Sequence, residues 1–383
     1  MSARIPVVYS EGTHRSATPE ETLHRVTPLL PAMGITRVAD ITGLDRLGIP
    51  TWCTVRPAAR LIQIANGKGL SNISARVSAV MEAVEDWHAE FPHAPFRKAS
   101  AAELCREGQV VVRAPELPRC RADLHLTDQR VIDWVRGEQL PQGQPVWLPA
   151  CAAFVVEPML LNGDSNGLAS GNHIVEATLH ALYEVIERDA MARLTSGGCV
   201  LPCGESRTVD LDTLPSGPLT WLRDRLRTAE VSLTLIRVDS LPPVSTFWAV
   251  LVDPQSPFAC SSVNSGHGSH LSPTVAALRA VTEAAQSRLT FIHGSREDLQ
   301  RDFYQFDETH QRLRAFFERQ RGDLPWSEIS DHSSGDLCRD FETVLKGLSD
   351  AGYSRIYRVD LTNSRFEIPV VKVLVPGLLS TAF

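Results

Sequence analysis

Two stretches of this 383-residue chain carry glutamates three residues apart: Glu82 with Glu85, and Glu184 with Glu187. Residues at positions i and i+3 share a helix face, so each pair brings two negative charges together. Their neighbours are mostly apolar, which indicates buried helices whose carboxylates need compensating positive charge. Proteins bind Mg²⁺ through a few carboxylates together with substrate phosphates. The pairs therefore predict a Mg²⁺–nucleotide site shared by two helices.

The alternative interpretation is that these glutamates are solvated or form salt bridges between neighbouring helices. Glu176 lies eight residues before Glu184, on roughly the same side of the same helix, and Arg188 directly follows the second pair. A third stretch has the same mixed character, with four polar residues among apolar ones: Arg279, Glu283, Gln286 and Arg288.

A glycine-rich segment precedes each of the three stretches: residues 67–69 (GKG), 162–172 and 265–270. Glycines let backbone N–H groups approach a phosphate closely, and Lys68 would add a positive charge. The first two segments match neither the GxxxxGK[ST] pattern of a Walker A loop nor the setting of a dinucleotide fingerprint. We therefore interpret the three segments as loops that lead into helices, and the first two as phosphate contacts.

Hydrophobic periodicity predicts helices at about residues 18–27, 73–90, 175–194 and 273–293. The first has the pattern of a capping box, with Thr18 as N-cap and Glu21 three residues later. Strands are predicted at residues 35–41, 49–57 and 60–67, and in VIDWV, QPVWLPACAAFVV, LTLIRVD, TFWAVLVD, SRIYRVDLT and IPVVKVLVP.

No low-complexity linker divides the chain, so we predict a single large α/β domain over residues 1–383, with mixed β-sheets packed against long helices. The nucleotide-binding segments are expected at about residues 10–90, 162–194 and 265–296. Residues 93–150 are richer in proline and arginine, and we expect them to form a variable surface layer.

The composition excludes several classes of protein. A net charge of −7 gives no general attraction to nucleic acid or anionic lipid. The N-terminus lacks the apolar core of a signal peptide, and no apolar run is long enough for a membrane span. Cys199 and Cys203 are four residues apart, but no second pair completes a zinc pattern. We expect a cytoplasmic protein with reduced thiols and neither nucleic-acid nor membrane partners.

Three motifs together resemble the YcaO-domain family: GKGLSNISARVSAVMEAVEDWHAE, SNGLASGNHIVEATLHALYEVIERDA and GHGSHLSPTVAALRAVTEAAQSRL. Their order and spacing match the family over nearly the whole chain, which implies the YcaO fold. The N-terminal GTHRSATPEETLHRVTPLLPAMGITRVADITGLDRLGIPTWCTVRP and the C-terminal RVDLTNSRFEIPVVKVLVPGL resemble its TfuA-associated branch.

The resemblance implies a chemistry. YcaO enzymes use ATP and Mg²⁺ to phosphorylate the oxygen of a peptide amide, which turns that oxygen into a leaving group. In the TfuA-associated branch an external sulfur source then gives a thioamide, in a ribosomally made peptide or protein and with a TfuA-like protein as partner. Azoline or amidine formation by the same chemistry, and a noncatalytic nucleotide-binding scaffold, are the alternatives. A homodimer is an expectation by analogy.

The resemblance also assigns site residues, although no catalytic base. Those expected to bind nucleotide are Arg15, Thr22, Lys68, Ser78, Glu82, Asn172, Glu176, Arg188, Gln286 and Arg288, with Arg296 as an alternative to Arg288. Those expected to hold Mg²⁺ are Glu82, Glu85, Glu176, Glu184 and Glu187.

The chain departs from the family pattern at three places. Asp86 follows Glu85 where an arginine is usual, and Ala169 stands where a serine often precedes the loop asparagine. The proline-rich C-terminal tail of azoline-forming relatives is missing. Since that tail positions catalytic groups in those enzymes, its absence argues against azoline formation by the same mechanism.

Overall fold

The computed structural model describes residues 4–118, 127–161, 165–195, 205–306 and 308–380. Cys199 and Cys203 lie outside these ranges. The helices are α1 (Pro19–Val26), α2 (Asn72–Glu90), α3 (Ala101–Arg106), α4 (Ile174–Leu194), α5 (Pro218–Thr228), α6 (Ala259–Ser262), α7 (Pro273–His293), α8 (Glu308–Phe317) and α9 (Leu337–Asp350). The strands are β1 (Arg37–Asp40), β2 (Thr51–Val55), β3 (Ile64–Lys68), β4 (Arg97–Ser100), β5 (Val131–Leu140), β6 (Gln144–Pro149), β7 (Leu168–Ser170), β8 (Ser206–Thr208), β9 (Ser232–Val238), β10 (Ser245–Val252), β11 (Val263–His270), β12 (Ile356–Asp360) and β13 (Val370–Leu374).

The four predicted helices are confirmed as α1, α2, α4 and α7, with ends that agree within one or two residues. The capping box of α1 is present in full: Thr18 accepts a hydrogen bond from the backbone of Glu21, whose side chain accepts one from the backbone of Thr18. A 3-10 helix, Thr27–Met33, continues α1 and ends at Gly34, whose φ of 73° is left-handed. Among the described residues, no helix is long and apolar enough to cross a membrane.

The described strands form three antiparallel sheets, in agreement with the predicted mixed α/β fold. The first has the order β1-β2-β3, and the second the order β11-β10-β9-β8. The third has the order β4-β5-β12-β13-β7, with β6 paired to β5. LTLIRVD and TFWAVLVD are confirmed as strands, and they form the neighbouring strands β9 and β10.

Each sheet carries one of the three long helices. Helix α2 packs on β3, α7 on β11, and α4 on β13 and β7. Burial of one large apolar side chain contributes roughly 1.5–3 kcal/mol, so these contacts fix the helices firmly on their sheets. Buried members of the three interfaces are Val80 and Val84 of α2, Val281 and Ala284 of α7 with Phe247 of β10, and Leu182 and Ile186 of α4 with Val371 of β13.

The first and third glycine-rich segments are not the loops that the sequence suggested. Gly67 and Lys68 belong to β3, and Gly266 and Gly268 to β11. A Cβ on Gly67 would lie 1.9 Å from the backbone nitrogen of Ala79, and one on Gly266 would lie 2.2 Å from that of Ala284. The glycines therefore allow a helix to press directly on its strand, which explains their presence without a phosphate.

The structure also differs from the prediction that residues 93–150 form a variable surface layer. Strand β5 pairs with β12, which makes β5 an inner strand of the third sheet. Trp134 of β5 is 2% exposed, and its indole N–H donates to the backbone oxygen of Ala99. Strands β4, β5 and β6 of this segment belong to the third sheet, and buried side chains of β5 and β6 contribute to the hydrophobic core.

Candidate functional site

A cavity of about 1170 Å³ lies where α2, α4 and α7 converge. Almost all of the residues that the sequence singled out line it, although they come from segments far apart in the chain. The lining includes Arg15, Thr22, Lys68, Ser78, Glu82, Glu85, Asn172, Glu176, Glu184, Glu187, Arg188 and Gln286.

Residues in and just before β7 donate hydrogen bonds to two of the carboxylates in the cavity. Ser170 donates to Oε1 of Glu85 through its N–H, at 2.8 Å, and through its hydroxyl, at 2.6 Å. The N–H of Gly167 donates to Oε2 of Glu184 at 3.3 Å. One short strand thus links the glutamates of α2 and α4, and this preorganises their orientation before any ligand binds.

Both carboxylate oxygens of Glu176 accept hydrogen bonds. Oε2 accepts from the backbone and the hydroxyl of Ser16, at 2.8 and 2.6 Å. Oε1 accepts from Arg15 at 3.3 Å and from the backbone of Asn172 at 3.1 Å. Thr22 in turn donates to the side-chain oxygen of Asn172 at 2.9 Å. Glu176 therefore ties the N-terminal segment to α4, and its role as a metal ligand stays a prediction.

Desolvation disfavours the charged form of several carboxylates in the cavity. Burial raises the pKa of Glu85 to about 8, with Glu82 and Glu184 adding repulsion. Burial likewise raises the pKa of Glu184 to about 7 and that of Asp86 to about 7, and it raises the pKa of Glu82. A divalent cation would remove this penalty, so the cluster has the electrostatics of a metal site.

Glu187 meets two residues that the sequence analysis did not assign to the site. One ligand-capable atom from each of Glu187, His267 and Glu283 lies within 4.8 Å of the others. Lys68 forms an ion pair with Glu283 at 2.7 Å, which links β3 to α7 in the cavity wall. The signal for Glu283 was its position three residues before Gln286 on one helix face, whereas His267 faces it from a strand that the sequence suggested to be a loop.

Arg279 is a further residue that was missed. It lines the cavity, and its Nε has no hydrogen-bond partner among the described residues. It lies four residues before Glu283, on the same face of α7. His180, whose neighbours along α4 are apolar, also lines the cavity and lies 3.2 Å from the guanidinium of Arg15. Arg279 and His180 therefore add hydrogen-bond donors to the wall of the cavity, which phosphate oxygens would accept from.

Arg288 is placed differently from the expectation. Its side chain is 5% exposed and forms ion pairs with Asp45 at 2.8 Å and with Asp253 at 3.0 Å. It does not line the cavity, because it lies on the face of α7 that turns toward α6 and the start of β2. The expected phosphate contact of Arg288 is therefore wrong for this arrangement, whereas the alternative, Arg296, does line the cavity.

The family comparison agrees with the site. The model of the family described as YcaO cyclodehydratase, ATP- and Mg²⁺-binding, matches residues 66–379. This chain belongs to the YcaO family. A protein from the tfuA 3′ region of Rhizobium leguminosarum bv. trifolii is 33% identical over 374 residues, which are 95% of this chain and 88% of that protein. An uncharacterized Mycobacterium tuberculosis protein is 35% identical over 387 residues, with shares of 97% and 84%.

Solved structures show the same fold. The YcaO protein from Methanopyrus kandleri bound with AMPPCP and Mg²⁺ is 26% identical, with a TM-score of 0.77 over 98% of this chain and 95% of that one. A heterocyclase in complex with substrate and cofactor is 21% identical, with a TM-score of 0.81 over 99% of this chain. This YcaO chain spans 54% of that heterocyclase chain, so the likeness concerns the fold.

The residues present fit ATP and Mg²⁺, the cofactors of the family. Four carboxylates whose charge is disfavoured suit the cation, and the unpartnered Nε of Arg279 suits a phosphate. The side-chain oxygen of Gln286 also lacks a partner among the described residues, since its amide nitrogen donates to the backbone of Asn66 at 3.0 Å. A bound nucleotide would offer partners to both residues.

Proposed function

We propose that this YcaO protein uses ATP to activate a backbone amide of a ribosomally made peptide or protein, and that sulfur then replaces the amide oxygen to give a thioamide. The observation that carries the proposal is the convergence of carboxylates from α2 and α4 with cationic side chains in one cavity. Such a site matches a triphosphate bound together with a divalent cation.

The roles of the individual side chains follow from their positions. We assign Glu82, Glu85, Glu184 and Glu187 to the Mg²⁺ ion, which would supply charge neutralisation at the phosphates. Arg15, Lys68, Arg188 and Arg279 line the same cavity and would hold phosphate oxygens. Ser170, Ser16 and Asn172 position the carboxylates or the N-terminal segment.

The cavity has room for a second reactant. Its volume of about 1170 Å³ exceeds the roughly 300–1,000 Å³ that is typical of a pocket for one small ligand. One part of its wall is apolar, with Phe154, Met159, Leu161 and Leu378. We assign this part to the peptide segment that carries the reacting amide. Apolar side chains around the amide would exclude water, which otherwise competes with the sulfur nucleophile.

The reaction balances with a sulfide-level donor. The amide oxygen takes the γ-phosphoryl group from ATP, a sulfur nucleophile adds to the amide carbon, and phosphate leaves with the original oxygen. ADP, phosphate and a thioamide result, with no change of oxidation state at carbon. A TfuA-like protein is our proposed partner in this step, supported by the sequence resemblance and by the relative from the tfuA 3′ region.

Further parts of the proposal concern the chain as a whole. We propose that the YcaO domain extends beyond the matched residues 66–379 to the N-terminal segment, since Arg15 and Ser16 contact Glu176 in the cavity. A cytoplasmic location, where ATP is available, belongs to the proposal, as does a homodimer by analogy with relatives.

The test combines ATP consumption with peptide mass. The protein is incubated with ATP, Mg²⁺, a sulfide donor, a TfuA-like protein and a candidate precursor peptide encoded nearby. We expect ADP formation that depends on the peptide, and a mass gain equal to sulfur minus oxygen. Loss of one water with ATP use would instead indicate azoline or amidine formation, and nucleotide binding without turnover would indicate a scaffold.

A further inference from the structure

An imidazole and two carboxylates meet where α4, β11 and α7 come together. The residues are Glu187, His267 and Glu283, and a ligand-capable atom of each lies within 4.8 Å of the other two. All three line the cavity. We propose that they bind a second divalent cation, of the first-row transition series, with Glu187 as a ligand shared with the proposed Mg²⁺ ion.

The separation of His267 and Glu283 fits ligands that share a metal. Nδ1 of the histidine lies 3.6 Å from Oε1 of the glutamate, which is longer than the roughly 3.2 Å limit of a good N–H···O hydrogen bond. Two ligand atoms on one tetrahedral metal, with bonds of about 2.1 Å, lie roughly 3.4 Å apart. A small adjustment would therefore place one ion between them.

The carboxylate of Glu283 is held in place by donors on both oxygens. The backbone N–H of His267 donates to Oε1 at 3.2 Å, and Lys68 donates to Oε2 at 2.7 Å. The ring of Trp248 stacks near the imidazole, with centroids 6.4 Å apart, and His267 is 8% exposed. Groups outside a ligand set that orient its members in this way are typical of metal sites.

The donor atoms decide the class of cation. Mg²⁺ takes oxygen ligands and retains waters, whereas an imidazole nitrogen favours Zn²⁺, Fe²⁺ and their neighbours, for which Mn²⁺ is a paramagnetic probe. The remaining carboxylates of the cavity offer oxygen atoms alone, so the two sites differ in selectivity. This inference does not depend on the product formed from the peptide, because it concerns a cation and this chain's own residues.

The test uses Mn²⁺ alone, without nucleotide, on the full chain without an affinity tag. Pulsed electron paramagnetic resonance detects the coupling of bound Mn²⁺ to an imidazole ¹⁴N nucleus. We expect this coupling in the wild type and its loss in His267→Asn, with Mn²⁺ affinity at least about 10-fold weaker. His293→Asn is the matched control, since His293 ends α7, the helix that carries Glu283, bonds to Ser295 and does not line the cavity. It should keep the coupling.

Glu283→Gln removes a second proposed ligand independently. If His267→Asn fails to fold, this variant tests the proposed cation site on its own. Circular dichroism and thermal unfolding establish that each variant is folded. Loss of the nitrogen coupling in folded Glu283→Gln supports the site. A wild type without nitrogen coupling, or a coupling that survives in either ligand variant, overturns the proposal. Neither result touches the proposed thioamide chemistry, which the peptide assay tests separately.

Discussion

Arg279 and Arg288 lie on the same helix, α7, yet their guanidinium groups meet opposite surroundings. Arg288 is enclosed by Asp45 and Asp253, whereas Arg279 lines the cavity with an Nε that has no partner among the described residues. An arginine that is already paired stabilises the fold, and one that lacks a partner in a cleft is available to an anionic ligand. The contrast separates a structural residue from a site residue.

Replacing these arginines by glutamine should therefore affect different measurements. Arg279→Gln should raise the KM for ATP by roughly 10- to 100-fold, the range of a lost charge-assisted hydrogen bond, while the unfolding temperature stays near that of the wild type. Arg288→Gln should lower the free energy of unfolding by about 3–5 kcal/mol, because it leaves Asp45 buried without its cation. ATPase kinetics and chemical denaturation measure the two effects, and the opposite pattern would reverse the assignment.

The glutamate pairs give a second prediction at this scale. Glu184→Gln and Glu187→Gln keep the shape of each side chain but remove the charge that a Mg²⁺ ion needs. We expect peptide-dependent ATP turnover to fall by about 100-fold or more in each. Glu342→Gln, at an exposed position of α9, is the control and should leave turnover unchanged. Parental turnover in the Glu184 and Glu187 variants would contradict the site.

At the scale of elements, the unit that builds the cavity is a strand followed by the long helix that packs on it. The turn between β3 and α2, or between β11 and α7, is short, and glycines on the strand let the helix lie close. This close packing of the helix on its strand fixes the position of the helix's polar face. Lys68 of β3 can reach Glu283 of α7 because both strand–helix units are packed in this way.

A methyl group at a glycine of such a strand should therefore disturb the site through the fold. Gly67→Ala would place a Cβ 1.9 Å from the backbone nitrogen of Ala79, and Gly266→Ala would place one 2.2 Å from that of Ala284. We expect each to cost about 1–3 kcal/mol or more, with loss of ATP turnover. Gly43→Ala is the control, since a Cβ there meets nothing within 4 Å and its φ is not left-handed. Denaturant titration checks the order of stabilities.

At the scale of the whole molecule, three sheets bring three helices together, and acidic side chains from all three helices line one cavity. Burial raises the pKa of Glu85 to about 8 and that of Glu184 to about 7. The folded protein thus holds protons that the unfolded chain releases above the ordinary glutamate pKa. Its stability without metal must fall as pH rises from there through the raised values.

This linkage predicts how Mg²⁺ and protons compete. Between about pH 6 and about pH 9 the unfolding temperature of the metal-free protein should fall, and the increase caused by Mg²⁺ should grow, because the cation binds the deprotonated carboxylates. Differential scanning fluorimetry at a series of pH values measures both. Glu85→Gln should flatten the dependence, and a Mg²⁺ effect that is equal at both ends of the range would show that these groups are not its ligands.

Much of the site could be predicted from the sequence, since spacing along one helix is a local property. The pairs Glu82/Glu85 and Glu184/Glu187, the capping box of α1 and the ends of the long helices all follow from periodicity and neighbouring residues. The family resemblance added residues of the N-terminal segment, such as Arg15 and Thr22, which line the cavity, and nucleotide binding by them stays a prediction.

Contacts between segments were decided by the tertiary structure alone. The sequence could not show that Arg288 faces Asp45 while Arg279 faces the cavity, or that His267 lies on a strand opposite Glu187 and Glu283. Both outcomes depend on how β11 and α7 are rotated against each other, and that rotation is set by glycine contacts and by the packing of distant side chains. Local sequence determines which residues share a face of a helix, and three-dimensional packing determines what that face meets.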